Sequence, residues 1–184
     1  MLSGEQKARL LSVARQAIEA AVTGALAADT QTDDTDLKKV QGAFVTLKKQ
    51  GQLRGCIGHI EGHLPLIETV NVMAVAAALE DPRFPPVRAD ELDDLTIEIS
   101  VMSPIMQVND IKEIQVGRDG LIVSAGPYRG LLLPQVAVEW GWSCEEFLCH
   151  TCLKAGLPED AWQGDVTIER FEAEVFGEKT EAPG

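Results

Sequence analysis

Between Gly42 and His59 the chain carries two short apolar runs joined by a polar loop, and this segment constrains the fold more than any other. Ala43-Phe44-Val45-Thr46-Leu47 and Leu53-Arg54-Gly55-Cys56-Ile57 flank Lys48-Lys49-Gln50-Gly51-Gln52. A loop of this composition, with Gly51 free to take positive φ, predicts a β-hairpin. Further strand signals lie downstream. Thr96 to Val101 alternates strictly, which predicts a strand with one solvated face. Asp119-Gly120 precedes the apolar run Leu121-Ile122-Val123, and Leu131-Leu132-Leu133-Pro134 has the character of a short buried strand or extended segment. Val166 and Ile168 share one parity while Phe171, Ala173 and Val175 share the other, so a bulge is expected in that strand.

Helical periods are interspersed among these strands. Ser3 and Gln6 have the spacing of a capping box, and Leu10, Leu11, Ala14, Ala17, Ile18, Ala21, Val22 and Ala25 recur at helical spacing, predicting a helix to about Ala28. Asp29 to Asp36 is polar and acidic and predicts an exposed connection. Pro65, at a first-turn position, opens a second helix through Leu66, Ile67, Val70, Met73, Ala74, Ala77 and Ala78. The prolines of Asp81-Pro82-Arg83-Phe84-Pro85-Pro86 end it. Ser143 and Glu146 repeat the capping pattern for another helix, which Gly156 and Pro158 close. Without a regular βαβ rhythm, the expected class is α+β, a largely antiparallel sheet flanked by helices. Residues 1–178 form one expected domain, followed by a polar tail at 179–184.

Composition narrows the functions. The chain has 184 residues, 45% of them apolar and 24% charged, which is ordinary globular usage. Sixteen Lys and Arg against 29 Asp and Glu give a net charge of −13, a field that disfavours nucleic-acid binding. The longest apolar run, Val72 to Leu79, falls far short of the ~18 residues of a membrane span, and the N-terminus lacks the apolar core of a signal peptide. A cytoplasmic location is therefore expected, with Cys56, Cys144, Cys149 and Cys152 as reduced thiols. GxGxxG, P-loop and HExxH motifs are absent from the sequence.

The segment Leu53 to His59 is the strongest candidate for chemistry. In a regular strand Arg54 and Cys56 point to one face, where the fixed positive charge would favour the Cys56 thiolate. Gly55 and Gly58 suggest close approach of a ligand or of another stretch of backbone. From Lys38 to His63 five cations (Lys38, Lys39, Lys48, Lys49, Arg54) face one anion, Glu61, a local excess of +4 suited to a small anionic molecule. The alternative is a buried cysteine in a Gly-bent strand whose lysines guard an edge.

The second cluster, Cys144 to Cys152, does not make a metal site. On a helix, Cys144, Phe147, Leu148, Thr151, Cys152 and Ala155 share an apolar stripe, with Cys149 to one flank and His150 to the other. Cys149 and Cys152 could meet, but further zinc ligands are lacking. Cys144 and Cys152 are therefore expected as core thiols, and His150 gains interest only if the fold brings it near Cys56. Arg83 and Arg129 are candidate anion contacts. Trp140, Trp142 and Trp162 are expected in the core.

Taken in order, Gly42 to Leu47, Leu53 to Gly58, Asp81 to Pro86, Gly130 to Ala137 and His150 to Pro158 closely resemble the AMMECR domain, whose prokaryotic members are called AmmeMemoRadiSam system protein A. The resemblance spans about Leu10 to Glu178. It implies a two-lobed α+β fold, a larger and a smaller lobe with Arg54 to Gly58 near the cleft between them. It also implies association with Memo-like and radical-SAM proteins, and it carries no established reaction. His150, Cys152 and Cys56 match the pattern, whereas Cys144 and Cys149 fall where it does not call for cysteine. The resulting expectation is a small-molecule site with Cys56 as thiolate nucleophile or redox group, Arg54 as its electrostatic partner and His150 as proton carrier. Gly55 and Gly58 would give room for substrate, Arg83 and Arg129 would contact it, and no metal or cofactor is identified. A non-catalytic adaptor for the Memo-like and radical-SAM proteins is the rival, and a nucleic-acid modification component the third.

Overall fold

The hairpin expected between Gly42 and His59 is formed by strands β1 (Ala43–Lys49) and β2 (Gln52–His59) in the computed structural model, which describes residues 1–179. Its turn needs only two residues, Gln50 at φ 53° and Gly51 at φ 77°. Two successive positive φ values match the twist of the flanking strands, so Lys48, Lys49 and Gln52 join the ladder rather than the loop. Strand β3 (Leu95–Met102) pairs with the other edge of β1, and both pairings are antiparallel. Alternation sorts the faces. Ala43, Val45 and Leu47 are buried with Ile97, Ile99 and Val101, while Phe44, Thr46, Glu98 and Ser100 between them are half-buried.

Two helices supply the other half of this core. Helix α1 (Gly4–Thr23) starts with the Ser3–Gln6 capping box and buries Leu10, Val13, Ala14, Ala17 and Ile18. It stops short of Ala28 because Gly24 takes φ 75° and returns its N–H to the carbonyl of Ala20, a left-handed cap that outweighs the continuing alanine period. Helix α2 (Leu66–Leu79) has Pro65 as its N-cap and ends just before Asp81-Pro82. Val70, Ala74 and Ala77 of α2 join the α1 and sheet residues in one apolar cluster.

Among the described residues the chain divides into two compact units, Met1–Met102 with 174–179, and Ser103–Ala173. The second contains strands β4 (Met106–Gln107), β5 (Asp119–Ala125) and β6 (Tyr128–Leu132), helices α3 (Pro134–Trp140) and α4 (Cys144–Lys154), and the start of β7 (Thr167–Gly177). β5 lies between β6 and β7, β4 adds to the other side of β7, and every pair is antiparallel. The α+β class with an antiparallel sheet is thus realised.

Three local expectations change. Leu131 and Leu132 do end a strand, but Pro134 opens α3 at its first turn, where the missing N–H costs nothing. β7 has no bulge against β5, since the register runs unbroken from Thr167↔Ser124 to Glu172↔Asp119. Ile168 and Phe171 are instead buried on opposite faces of that ladder, the Phe171 ring filling the place that Gly120 leaves. Trp140 is 72% exposed rather than in the core. Among the described residues no helix is long and apolar enough to cross a membrane. From residue 180 on, the expected polar tail lies outside the described residues.

Candidate functional site

The strand carrying Arg54 and Cys56 is irregular at the point where alternation was expected to align them. Leu47 faces Gly55 and Lys48 faces Leu53, which leaves Arg54 as an extra residue, a β-bulge. The bulge re-aims the arginine. Its Nε and Nη2 donate to the two carboxylate oxygens of Glu91 at 3.1 and 3.0 Å, and Lys49 Nζ reaches the same carboxylate at 3.1 Å. Arg54 and Glu91 are 11% and 15% exposed, and the guanidinium holds the Glu91 carboxyl down at about 2. The charge of Arg54 is therefore compensated by Glu91.

Cys56 is fixed by other groups. Across the hairpin its partner is Thr46, whose hydroxyl lies 3.2 Å from Sγ, within donating reach of the sulfur. β2 is a sheet edge, so the outward N–H of Cys56 needs a partner, and the buried Asp81 carboxylate accepts it at 2.9 Å. Asp81 also accepts the backbone N–H of Arg83 at 3.0 Å, and Nε and Nη2 of the Arg83 guanidinium at 3.0 and 2.7 Å. The Arg83 pair holds the Asp81 carboxyl far below the ordinary carboxylate range, and Asp81 in turn pushes Arg83 up. Arg83 Nη2 also approaches the Cys56 carbonyl at 3.4 Å. The Pro-rich loop thus ties itself to the backbone of one residue, Cys56.

The glycines open no space for a substrate. A Cβ on Gly55 would meet the carbonyl oxygen of Ala77 in α2, and one on Gly58 would meet Ala43 and Phe44. Of the two expectations for these positions, close approach of protein is the one observed. The +4 excess is likewise balanced. Lys38 pairs with Asp33, Lys39 with Asp36, Lys48 with Glu98, and Lys49 and Arg54 with Glu91, all acids outside that segment. Asp33 and Asp36 lie just upstream of that segment in the chain, whereas Glu91 and Glu98 are brought in from other elements, which a count along the segment misses.

Arg129 and His150 belong to the second unit. Arg129 sits on β6 opposite Ser124. His150, exposed on α4, stacks face to face on Trp142 with ring centroids 3.8 Å apart and planes 5° apart. Cys152 is fully buried and Cys144 half-buried, and burial pushes both thiols up, as core positions require. Among the described residues no group of three or more His, Cys, Asp or Glu side chains is placed to hold a metal.

Thr46, Asp81 and Glu91 were absent from the sequence-derived site. Thr46 was not accessible from the turn alone, because a two-residue turn at Gln50-Gly51 with unbroken pairing sets it opposite Gly55, and the bulge at Arg54 is what brings Cys56 opposite it. Asp81, in the loop after α2, and Glu91, in the 3-10 turn Ala89–Asp94, act through conformations that no period encodes.

The AMMECR1 family model matches residues 11–176. A protein of Methanothermobacter thermautotrophicus is 48% identical, with 96% of each chain covered. One from Thermococcus kodakarensis is 47% identical over 92% of this chain and 89% of its own. The crystal structure of an uncharacterised protein from Pyrococcus horikoshii superposes with a TM-score of 0.78 at 44% identity, covering 92% and 90% of the two chains. With this architecture and this coverage, the chain belongs to the AMMECR1 family.

Proposed function

We propose that the sheet face bearing Cys56 binds a small anionic molecule and that Cys56 is the nucleophile acting on it. The observation supporting this reading is the Thr46 hydroxyl 3.2 Å from Sγ, on a strand whose backbone is locked at that residue by Asp81 and Arg83. A half-buried thiol, oriented and within reach of a hydroxyl donor, suits attack on an electrophilic centre. The sulfur forms the new bond, its proton passes to solvent, and the leaving group departs with the bonding pair. Arg83, whose side chain is 55% exposed, is the cation best placed to receive the anionic group. Arg54 shapes the bulge through Glu91. The roles of His150 as proton carrier and Arg129 as a substrate contact rest on residue type and on the resemblance.

Alkylation by iodoacetamide at neutral pH, followed by mass spectrometry, tests the proposal. Cys56 should react several-fold faster than Cys149, Thr46→Val should slow it, and a small anion from a metabolite panel should protect it. Equal rates at Cys56 and Cys149 with no protecting anion would sink the nucleophile role.

A non-catalytic adaptor for Memo-like and radical-SAM proteins is the second reading, supported by the ion pairs that balance every cation from Lys38 to Arg54. Its mark is a stoichiometric complex from the native host that survives Cys56→Ala with no loss of any turnover. The same pairing argues against the third reading, nucleic-acid modification, which needs a salt-sensitive RNA interaction.

A further inference from the structure

Outside the Cys56 site, the second unit carries a row of three aromatic rings that ends at the surface. Helix α3 closes at Gly141, φ 66°, and Ser143 caps α4 two residues later. This tight connection sets Trp140 and Trp142 with planes 15° apart and centroids at 6.3 Å, and Trp142 then stacks on His150. Trp142 also packs against the apolar core of this unit, so the inner part of the row is anchored. Trp140 is not, and at 72% exposure it offers most of its indole to solvent.

An exposed indole backed by a stacked indole needs a reason, because the folded chain gains little from it. Its surroundings indicate what would cover it. Glu139 precedes Trp140 and is exposed, as are Glu145 and Glu146 in the first turn of α4. Glu146 lies one turn before His150, and its carboxylate accepts the Ser143 N–H at 2.8 Å, which fixes it in the first turn of α4 and favours its ionised form. The cation next along α4, Lys154, lies a further turn beyond His150. An exposed indole between a carboxylate-bearing residue at the end of α3 and the acidic first turn of α4 complements a planar cation, since guanidinium stacks on the ring while its N–H groups meet the acidic surroundings.

We propose that the Trp140–Trp142 row, with Glu139 and Glu146, is a docking site for an arginine side chain presented by a segment of a partner protein. Arginine suits it better than lysine, whose compact, strongly hydrated ammonium gains less from an aromatic plane. A nucleic acid is disfavoured by the same carboxylates.

Two-dimensional NMR of the indole Nε1–H groups in the full chain, at physiological salt, tests this with a tetra-arginine peptide as probe. The expected result is a saturable shift of Trp140 and Trp142 while Trp162 stays in place. Tetralysine should bind roughly threefold more weakly and tetracitrulline not at all. Trp140→Ala should weaken tetra-arginine roughly fivefold, Trp140→Phe less, and Glu139→Gln with Glu146→Gln by a similar factor, each with the remaining spectrum unchanged. Glu146→Gln keeps the capping box, so that variant should fold. Equal affinity for tetralysine, or no loss in Trp140→Ala, would mean general attraction to an acidic protein and would overturn the site. A larger shift with an oligothymidylate, or no indole shift at millimolar peptide, would overturn it as well.

Discussion

An arginine-glycine pair occurs on the edge strand of each unit: Arg54-Gly55 on β2 and Arg129-Gly130 on β6. In both, a helix end presses on the strand where the glycine lacks a side chain. Ala77, near the end of α2, meets Gly55, and Ala155, just past α4, meets Gly130. The next residue separates them. After Gly55 comes Cys56, with its N–H held by Asp81 and Thr46 Oγ1 at its sulfur. After Gly130 comes Leu131, which pairs with Ile122. The repeated glycine is therefore a packing device that seats a helix on a strand, and any chemistry resides in the residue after the glycine.

The largest expected effect comes from breaking that shared device. Gly55→Ala and Gly130→Ala each drive a Cβ into rigid backbone, and each should lower stability by about 3 kcal/mol or more in thermal or urea unfolding. If Gly55→Ala instead folds normally and abolishes anion protection of Cys56, the glycine belongs to a binding site and the comparison fails. Next is Asp81→Ala, which leaves the Cys56 N–H without its acceptor on a sheet edge and should cost about 2–3 kcal/mol. Its effect should be localised, with hydrogen exchange rising at Cys56 and little change along β6.

Glu91 extends the contrast to pH. Its carboxyl titrates near 2 in the folded protein against 4.5 in the reference state, lowered chiefly by Arg54. Because the folded value is the depressed one, its stabilisation is complete above about pH 4.5 and is lost as the pH falls toward 2. Glu91→Gln should therefore destabilise by about 1–2 kcal/mol at pH 7. The difference from wild type should shrink over that acid window. A pH-independent difference would show that Glu91 acts through packing and the hydrogen bond it accepts from the Arg88 N–H.

Where local physics dominated, the sequence was a good guide. Capping boxes at Ser3 and Ser143, a hairpin closing within Lys48–Gln52 and the alternation of β3 all arise from short-range chemistry and all appear, the turn itself being tighter than expected. The α1 terminus was missed because a glycine in the left-handed region outweighed several alanines. The arrangement at Cys56 was half legible. Its place on a hairpin strand came from the pattern, but the bulge that turns Arg54 to Glu91 depends on an acid 37 residues away. Charge was only partly legible, since Asp33 and Asp36, just upstream in the chain, pair with Lys38 and Lys39, while the other cations of the +4 segment are balanced by Glu91 and Glu98 through tertiary contacts.

The smallest expected effect on stability is at Cys56 itself. Its sulfur is half-buried and its side-chain hydrogen bond is the weak contact with Thr46, whereas the N–H bond to Asp81 is made by backbone and survives substitution. Cys56→Ala should therefore change stability by under about 1 kcal/mol while removing the fast alkylation and any activity with it. Cys152, fully buried in the apolar cluster of the second unit, provides the opposite behaviour: slow alkylation in the native state and a measurable loss of stability on substitution. If Cys56→Ala proved the more destabilising of the two, the thiol would be a packing element like Cys152. Leu131 and Cys56 would then be two solutions to one structural problem.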